Sequence, residues 1–504
     1  MPEVALTERA PHRLRRPHLA ALLALIVISR ALGYAAGVRF NDIPLYNGYQ
    51  VIDPALLRHD LVSSLWYLHS QPPLFNLYLG LVVHLPHAMQ SSVFVATYLA
   101  IGVVLAWSMA TLMAELGVPA WAATVTTGVF VVGPATLLYE SWLFYTYPVA
   151  ALLCLGSLLL LRYLRTGRWR SGIGFFACLA AVALIRSTYH LVFVLAVVVV
   201  VAVVRRAAWR RTVALAVIPV LLVLGVYVKN EALFHTFSSS SWFGMTVSLE
   251  TTFTIPLAER QQLVQEGKLS PYALIEPFSA PSAYPAAFAA HRPTGSPVRD
   301  DPLKSTGAVN FNADAYLAID AQYLKDAREA VRLRPWKTIT GALGTIKTFL
   351  KPAADYRFLR ANSAHLGWYY TGYLDVVELR LGTHATNPLY PPSRPSITIT
   401  VVYLLAVITG AAALWELGRR RRRTDLDRAA LGTLLVMGGT VTFIAVLSAI
   451  VDVGENNRFR YEADPLALTL AAVAVTTAVR AAKSRRTAAA APAALESAPA
   501  VVVS

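Results

Sequence analysis

Charged residues are scarce in this sequence. Asp, Glu, Lys and Arg make up 15% of the 504 residues, whereas soluble proteins average about 25%. Hydrophobic residues make up 56%, and apolar runs long enough to cross a bilayer recur along the whole chain. This composition excludes a soluble globular protein and predicts an all-α protein that crosses the membrane many times.

Cysteine is also scarce, since the chain contains only Cys154 and Cys178. Each lies in the middle of an apolar segment, which is typical of buried, unreactive thiols, and a disulfide framework is not indicated. The sequence also lacks a phosphate-cradling glycine loop, a nucleophile elbow and a Walker motif. An activity driven by a cytosolic nucleotide is therefore not supported.

Basic residues outnumber acidic ones and give a formal net charge of +16. Nucleic-acid binding is one interpretation of such a charge. However, the arginines cluster directly beside apolar segments, as the positive-inside rule predicts for cytoplasmic loops. We therefore expect no nucleic-acid partner. The clusters lie at 13–16, 162–170, 205–211, 419–423 and 480–486.

About ten apolar segments are expected to cross the membrane. The first has no small-residue cleavage site close behind it and is interpreted as a retained span. With both termini in the cytoplasm, every basic cluster falls on the cytoplasmic side. The segments lie near 19–38, 91–113, 119–139, 146–164, 171–186, 188–204, 212–229, 396–416, 429–450 and 463–480.

The apolar segment 72–88 is expected not to cross. A span here would place the later basic clusters outside. Pro72 and Pro73 suit the first turn of a helix, and His84, Pro86 and His87 close the segment. We expect a juxtamembrane or re-entrant helix on the outer side.

The predicted spans divide the chain into five regions: a cytoplasmic tail (1–18), an N-terminal membrane region (19–229) with an outer loop (39–90), an extracytoplasmic module (230–395), C-terminal membrane helices (396–480) and a disordered cytoplasmic tail (481–504). The module is expected to contain a helix at 313–333 and a second, membrane-surface helix at 335–350.

Two polar stretches on the predicted outer side are interpreted as two walls of one site; the alternative is a pair of solvated loops. Asp42 follows the first span and could take a proton from an acceptor hydroxyl. The stretch 455–461 combines arginines, which suit phosphate oxygens, with asparagines, which can bind sugar hydroxyls. His59 and His69 could instead bind a metal together with Asp60. The candidate substrate-binding residues are His69, Glu140, Tyr145, Glu455, Asn456, Asn457 and Tyr461.

These stretches resemble the GT-C glycosyltransferases, the polytopic class that includes protein O-mannosyltransferases and the aminoarabinose transferase of lipid A. Asp42, followed by Tyr46 and Tyr49, resembles the acidic first-loop motif of that class. His69-Ser-Gln-Pro-Pro-Leu74 resembles its His/Pro-Pro-Leu segment. The resemblance covers the first 190 residues best, and 455–461 is a looser match.

The chain departs from the class in one respect. Members often carry an Asp-Glu pair in the first loop, whereas Ile43 follows Asp42 here. The second acidic role then falls to Asp53, Asp60 or Glu140, or is absent.

The resemblance implies a GT-C-like bundle in the plasma membrane with an extracytoplasmic active site. The donor would be a polyprenyl-phosphate sugar, and the acceptor a glycan, lipid or protein. Asp42 would be the general base of an inverting transfer. Arginines would hold the lipid phosphate, so that a divalent metal is possible but not required; the candidates are Arg458, Arg460, Arg186 and Arg30. The alternatives are a lipid-linked glycan flippase or polymerase and a non-catalytic envelope scaffold.

Overall fold

The computed structural model describes residues 14–380, 394–419, 424–451 and 454–495, with 425, 426 and 488–495 described by their backbone alone. Within these ranges the chain is helical and forms no β-strand, which confirms the all-α prediction. The first twelve α-helices are α1 (Arg16–Ala35), α2 (Pro44–Asn47), α3 (Pro54–His59), α4 (Leu61–Trp66), α5 (Pro73–Val83), α6 (His87–Glu115), α7 (Ala120–Val132), α8 (Pro134–Glu140), α9 (Thr146–Thr166), α10 (Trp169–Ile185), α11 (Leu191–Val204) and α12 (Trp209–Phe234).

The second half of the chain contains ten further α-helices. They are α13 (Phe243–Glu250), α14 (Leu257–Gln265), α15 (Pro285–Ala290), α16 (Pro297–Asp300), α17 (Ala315–Leu333), α18 (Pro335–Phe349), α19 (Arg360–Val376), α20 (Ile397–Gly418), α21 (Asp425–Val451) and α22 (Asn456–Leu495). Short 3-10 helices lie at Arg206–Ala208, Thr252–Thr254, Pro271–Leu274, Pro281–Ala283, Ala353–Asp355 and Arg357–Leu359.

Two of these helices bear on predictions for the module and the tail. The positions of α17 and α18 agree with the helices expected at 313–333 and 335–350. By contrast, α22 continues to Leu495, so residues 481–495 are helical rather than disordered as predicted. Its last turns are rich in alanine, which has the highest helix propensity. Residues 496–504 of the predicted tail lie outside the described ranges.

Among the described residues, seven helices are long and apolar enough to cross a membrane: α1, α6, α9, α12, α20, α21 and α22. The count is eight if the bent pair α7 and α8 forms one span. The predicted count of ten also included α10 and α11, which have only 17 and 14 residues. These two helices are consecutive. Whether both cross the membrane or neither does, every later segment therefore lies on the same side of the membrane.

The helix α5 is too short to cross. Its 11 residues cover about 16 Å at 1.5 Å per residue, about half of the roughly 30 Å hydrocarbon layer. This length supports the prediction that 72–88 stays on one side of the membrane.

The segment predicted as a straight span at 119–139 is bent by 60° at Gly133. The Gly133-Pro134 pair interrupts the helix, and a carbonyl freed inside a membrane needs another donor. Arg30 donates to the freed carbonyl of Val131 at 2.9 Å, and Tyr369 donates to that of Val132 at 2.7 Å. The carbonyls of Val129 and Phe130 accept from the N–H of Gly133 at 3.1 Å and 3.2 Å and also from side chains, Tyr373 at 2.8 Å and Thr136 at 2.7 Å.

The core of the bundle is built around α9, which packs against α6, α10, α21 and α22. At the crossing of α20 and α21, Gly410 and Gly438 bring two backbones together. A Cβ added to Gly438 would lie 2.5 Å from the Cα of Gly410. Small residues commonly permit this approach between membrane helices.

One end of the bundle, here called the basic end, gathers the short arginine-rich turns. Glu115 lies in a turn that carries no basic residue of its own, yet it pairs with Arg162 at 2.8 Å and with Arg165 at 3.5 Å. Arg480 donates to the carbonyl of Gly117 at 2.5 Å. The turn therefore lies among the basic clusters, as the topology requires.

The opposite end, here called the module end, carries α13–α19. A cluster of buried aromatic and aliphatic side chains, including Trp242, Tyr316 and Tyr323, holds the module together. The module is also attached to the segment after α1. Asp53 accepts hydrogen bonds at 2.6 Å from both the backbone N–H and the hydroxyl of Ser305.

Candidate functional site

The face on which each side chain of α22 lies follows from where the helix begins. It starts at Asn456, so the loop predicted for 451–462 ends there. Side chains three or four positions apart share a helix face, whereas those two apart do not. Arg458 and Glu462 therefore share a face, and Arg460 lies on another.

Arg186 and Glu462 form a buried ion pair at the module end. Arg186 directly follows the last residue of α10, and its side chain and that of Glu462 are almost fully buried. Glu462 also accepts a hydrogen bond from the hydroxyl of Tyr189 at 2.9 Å. The Nε of Arg186 donates to the hydroxyl of Thr188 at 3.0 Å. The pair therefore fixes the end of α10 against α22.

Arg458 shares two aromatic rings with Arg186. The guanidinium of Arg186 lies 5.4 Å from the ring centre of Tyr145 and 3.9 Å from that of Phe459. The guanidinium of Arg458 lies 5.9 Å and 5.1 Å from the same two rings. Two cations from segments more than 250 residues apart thus meet around one aromatic pair. We call Arg186, Arg458, Tyr145 and Phe459 the arginine cluster.

Glu455 orients Arg458. Its carboxylate accepts hydrogen bonds from the guanidinium at 3.0 Å and 2.5 Å and from the hydroxyl of Tyr356 at 2.9 Å. Burial alone would raise the pKa of Glu455, but the charge of Arg458 and the hydrogen bond from Tyr356 outweigh it and hold the pKa below its usual value. Glu455 is therefore ionised at neutral pH, and an incoming phosphate would share Arg458 with it.

Asp42 lies beside the segment that leads into the arginine cluster. The backbone N–H of Asn41 donates to the carbonyl of Ser141 at 2.8 Å, and that of Leu143 donates to the carbonyl of Asn41 at 2.9 Å. Asp42 is half-buried and follows this two-bond bridge directly. The structure thus brings Asp42, Arg186 and Arg458 to one end of the bundle, around residues 141–145.

An aromatic stack connects the backbone bridge at Asn41 to Arg458. The ring of Trp142 stacks on Phe144 with 4.4 Å between centres and packs against Tyr356 at 5.6 Å. The guanidinium of Arg458 lies on Phe144 and Tyr356 at 5.1 Å and 5.5 Å. Trp142, whose backbone forms the bridge with Asn41, therefore packs on both of the rings that Arg458 contacts.

Arg460 does not join the arginine cluster. Its guanidinium lies 3.6 Å from the carboxylate of Asp464 and 5.9 Å from the ring centre of Tyr403. Tyr403 also donates a hydrogen bond to Asp464 at 2.9 Å. The prediction that Arg458 and Arg460 act together assumed a loop, and the helix turns Arg460 toward α20.

Arg30 and Glu140, predicted to bind phosphate and substrate, bind each other. Two hydrogen bonds of 2.7 Å join the guanidinium to the carboxylate. The hydroxyl of Tyr147 donates to Glu140 at 2.5 Å, and Arg30 also donates to the freed carbonyl of Val131. This arrangement gives Arg30 a structural role at the bend between α7 and α8.

His69, predicted to bind substrate, is fully buried at the contact with the module. Its Nδ1 lies 2.8 Å from the hydroxyl of Ser241, and its Nε2 lies 3.6 Å from Asp314. Burial lowers the pKa of His69, although Asp314 opposes the shift. This Ser-His-Asp arrangement resembles a hydrolase triad in composition, but the histidine has no exposed surface. It joins the first loop to the module.

The remaining predicted residues support the backbone. The amide of Asn456 donates to Ser448 at 2.7 Å, and that of Asn457 donates to Pro352 at 3.0 Å. Tyr461 stacks on Tyr139 with 4.2 Å between ring centres. Three residues were candidates for the second acidic role. Asp53 is hydrogen-bonded to Ser305 and Glu140 to Arg30, and Asp60 is exposed.

Sequence analysis missed Glu462 and Phe459. Glu462 was counted with the loop before the last span, yet an ionisable residue at a span boundary usually has a partner. Its spacing of four from Arg458 was a further signal once a helix is assumed. Phe459 gave no signal, because one aromatic residue in an apolar sequence is common.

The arrangement combines a half-buried carboxylate with two arginines held by aromatic rings and glutamates. Such a combination can accept a proton at one position and stabilise an anion at another. Compared with models of protein families, with curated proteins and with solved structures, the chain shows no significant match.

Proposed function

We propose that this protein is a membrane glycosyltransferase that moves a sugar from a polyprenyl-phosphate donor to an acceptor outside the plasma membrane. One observation carries the proposal. Arg186 and Arg458, from distant segments, meet around Tyr145 and Phe459 at the module end, next to the segment that holds Asp42. A transferase needs a phosphate site and a base close together at a membrane boundary.

In the proposed reaction, Asp42 accepts the proton of the acceptor hydroxyl as its oxygen attacks the anomeric carbon. The bond from that carbon to the phosphate oxygen breaks, and the lipid phosphate leaves with the electron pair. Arg186 and Arg458 stabilise the negative charge that develops. One direct displacement inverts the anomeric centre, and Asp42 then releases its proton to water.

A flippase or polymerase could also use arginines at the module end, and a scaffold would need neither group. The transferase is distinguished by consumption of a sugar donor. Proteoliposomes containing the purified protein and a polyprenyl-phosphate hexose or pentose labelled in the sugar would provide the test. The proposal expects labelled product, and its absence across the donor series would contradict it.

Arg458→Gln is expected to weaken donor binding and to lower the rate, because the phosphate is held in both the ground state and the transition state. We expect about a tenfold to thousandfold loss in kcat/KM. Arg332→Gln is the control, because this side chain is 82% exposed on the module. The double variant Arg458→Gln/Glu455→Gln also removes the carboxylate with which Arg458 pairs. Activity equal to wild type in both Arg458 variants would contradict the phosphate role.

A further inference from the structure

A cavity of about 290 Å³ lies between α1, α6 and α8. Gly33 opens part of it, since an added Cβ there would meet only Val38, at 4.0 Å. The lining is mostly apolar and includes Tyr34, Phe40, Leu99 and Ser141, with Arg30 and Glu140 as its charged residues.

The charged part of the wall is neutralised. Glu140 accepts two hydrogen bonds from Arg30, whose remaining Nη1 donates to Ser29 and Val131 at 2.9 Å each. A guanidinium held in this way offers little to an anionic headgroup. The cavity therefore suits an uncharged hydrocarbon chain better than a phosphate.

The cavity lies between two helices that qualify as membrane spans, α1 and α6. Tyr34 and Leu99 on its two sides are 65% and 38% exposed, and exposed side chains on such spans face lipid. A chain can therefore enter sideways from the bilayer.

The cavity reaches Phe40 and Ser141, next to the segment that holds Asp42, and does not reach the arginine cluster. Its lining includes Phe40 and Ser141, which flank the backbone bridge at Asn41. The lining residues do not include any member of the arginine cluster. A lipid seated here would place its headgroup toward the proposed base and its hydrocarbon chain away from the arginine cluster.

We infer that this cavity binds the hydrocarbon chain of the acceptor, and that the acceptor is a neutral lipid with a hydroxyl-bearing headgroup. The inference rests on the proposed function, because it uses Asp42 as the base that activates the acceptor. The donor lipid, whose phosphate belongs at Arg186 and Arg458, occupies a different path.

Photo-crosslinking tests this assignment. Wild-type proteoliposomes would be irradiated with a monoglycosyl diacylglycerol carrying a diazirine in its acyl chain, or with a diazirine-bearing polyprenyl phosphate. The glycolipid is expected to label peptides of α1 and α6. Leu99→Trp should fill the cavity and reduce that labelling about tenfold. Val103→Trp, one turn along the same lipid-facing side of α6, should leave it unchanged.

Two results would overturn the inference: labelling of α1 and α6 by the polyprenyl phosphate in preference to the glycolipid, or equal glycolipid labelling in Leu99→Trp and Val103→Trp. Labelling needs no turnover, so it is independent of the sugar-transfer assay. Absent transfer with cavity-dependent labelling would contradict the proposed function and leave the lipid site supported.

Discussion

Glu250, at the end of α13, is almost fully buried. Among the described residues, neither of its carboxylate oxygens has a hydrogen-bond partner. Burial raises its pKa from 4.5 to about 7. The folded state thus keeps a proton that the unfolded state releases, so this group's contribution to stability falls as pH rises from about 4.5 to 7.

Glu250→Gln is therefore expected to raise the melting temperature by a few degrees at pH 8 and by less at pH 5. At pH 5 the carboxyl group is neutral in the folded protein, like the amide that replaces it, and the wild type has lost only part of this group's contribution. Thermal unfolding in detergent at both pH values measures the difference, with the exposed Glu276→Gln as control. A larger gain at pH 5 than at pH 8 would contradict the assignment.

At the scale of residues, the sequence analysis identified individual charged residues of the membrane region but not the residues with which they pair. Arg30, Arg186 and Arg458 were all predicted to hold the lipid phosphate, and each is paired with a carboxylate in the structure. The partners depend on tertiary contacts across about 110 residues for Arg30 and more than 270 for Arg186, which local patterns do not encode.

At the scale of elements, the bend at Gly133 depends on α19. Tyr369 donates to the freed carbonyl of Val132 at 2.7 Å, and Tyr373 donates to the carbonyl of Val129 at 2.8 Å. Gly367, with φ of +49°, interrupts α19 just before these tyrosines. The module thus stabilises a broken helix of the membrane region.

Tyr369→Phe/Tyr373→Phe removes two hydroxyls and keeps both rings. Loss of the Tyr369 hydroxyl leaves the carbonyl of Val132 unsatisfied, which costs about 1–3 kcal/mol. The carbonyl of Val129 keeps the backbone N–H of Gly133 at 3.1 Å, so the double variant is expected to lose roughly 1–3 kcal/mol of stability. Urea or thermal unfolding in micelles measures the loss, and Tyr49→Phe, at a half-exposed ring, is the control. Stability equal to that of the control would show that these bonds do not support the bend.

All ten apolar segments predicted from sequence coincide with helices or helix pairs, because hydrophobic length is a local property. The first turns of α22 were not predicted, since the five polar residues at 455–460, interrupted only by Phe459, are typical of a loop. The helix begins there because its polar side chains find partners in other segments. That one difference moves Arg460 away from Arg458 and changes the composition of the site.

At the scale of the whole molecule, the basic end and the module end should lie on opposite sides of the membrane. Both native cysteines are buried and can be replaced by alanine to give a cysteine-free background. Asp301→Cys, in the module, is expected to react with an impermeant thiol reagent in intact cells. Arg210→Cys, at the basic end, should react only after permeabilisation. The reverse pattern would place the arginine cluster and Asp42 in the cytoplasm.

The proposed sugar transfer depends on Asp42 acting as a base beside a phosphate site. Asp42→Asn removes the proton acceptor while keeping the size of the side chain. We predict that sugar transfer falls by about 10²–10⁴-fold while the affinity for the polyprenyl-phosphate donor is unchanged. The exposed Asp301→Asn, in the same assay, should keep the wild-type rate. Transfer by Asp42→Asn at the rate of Asp301→Asn would contradict the central claim.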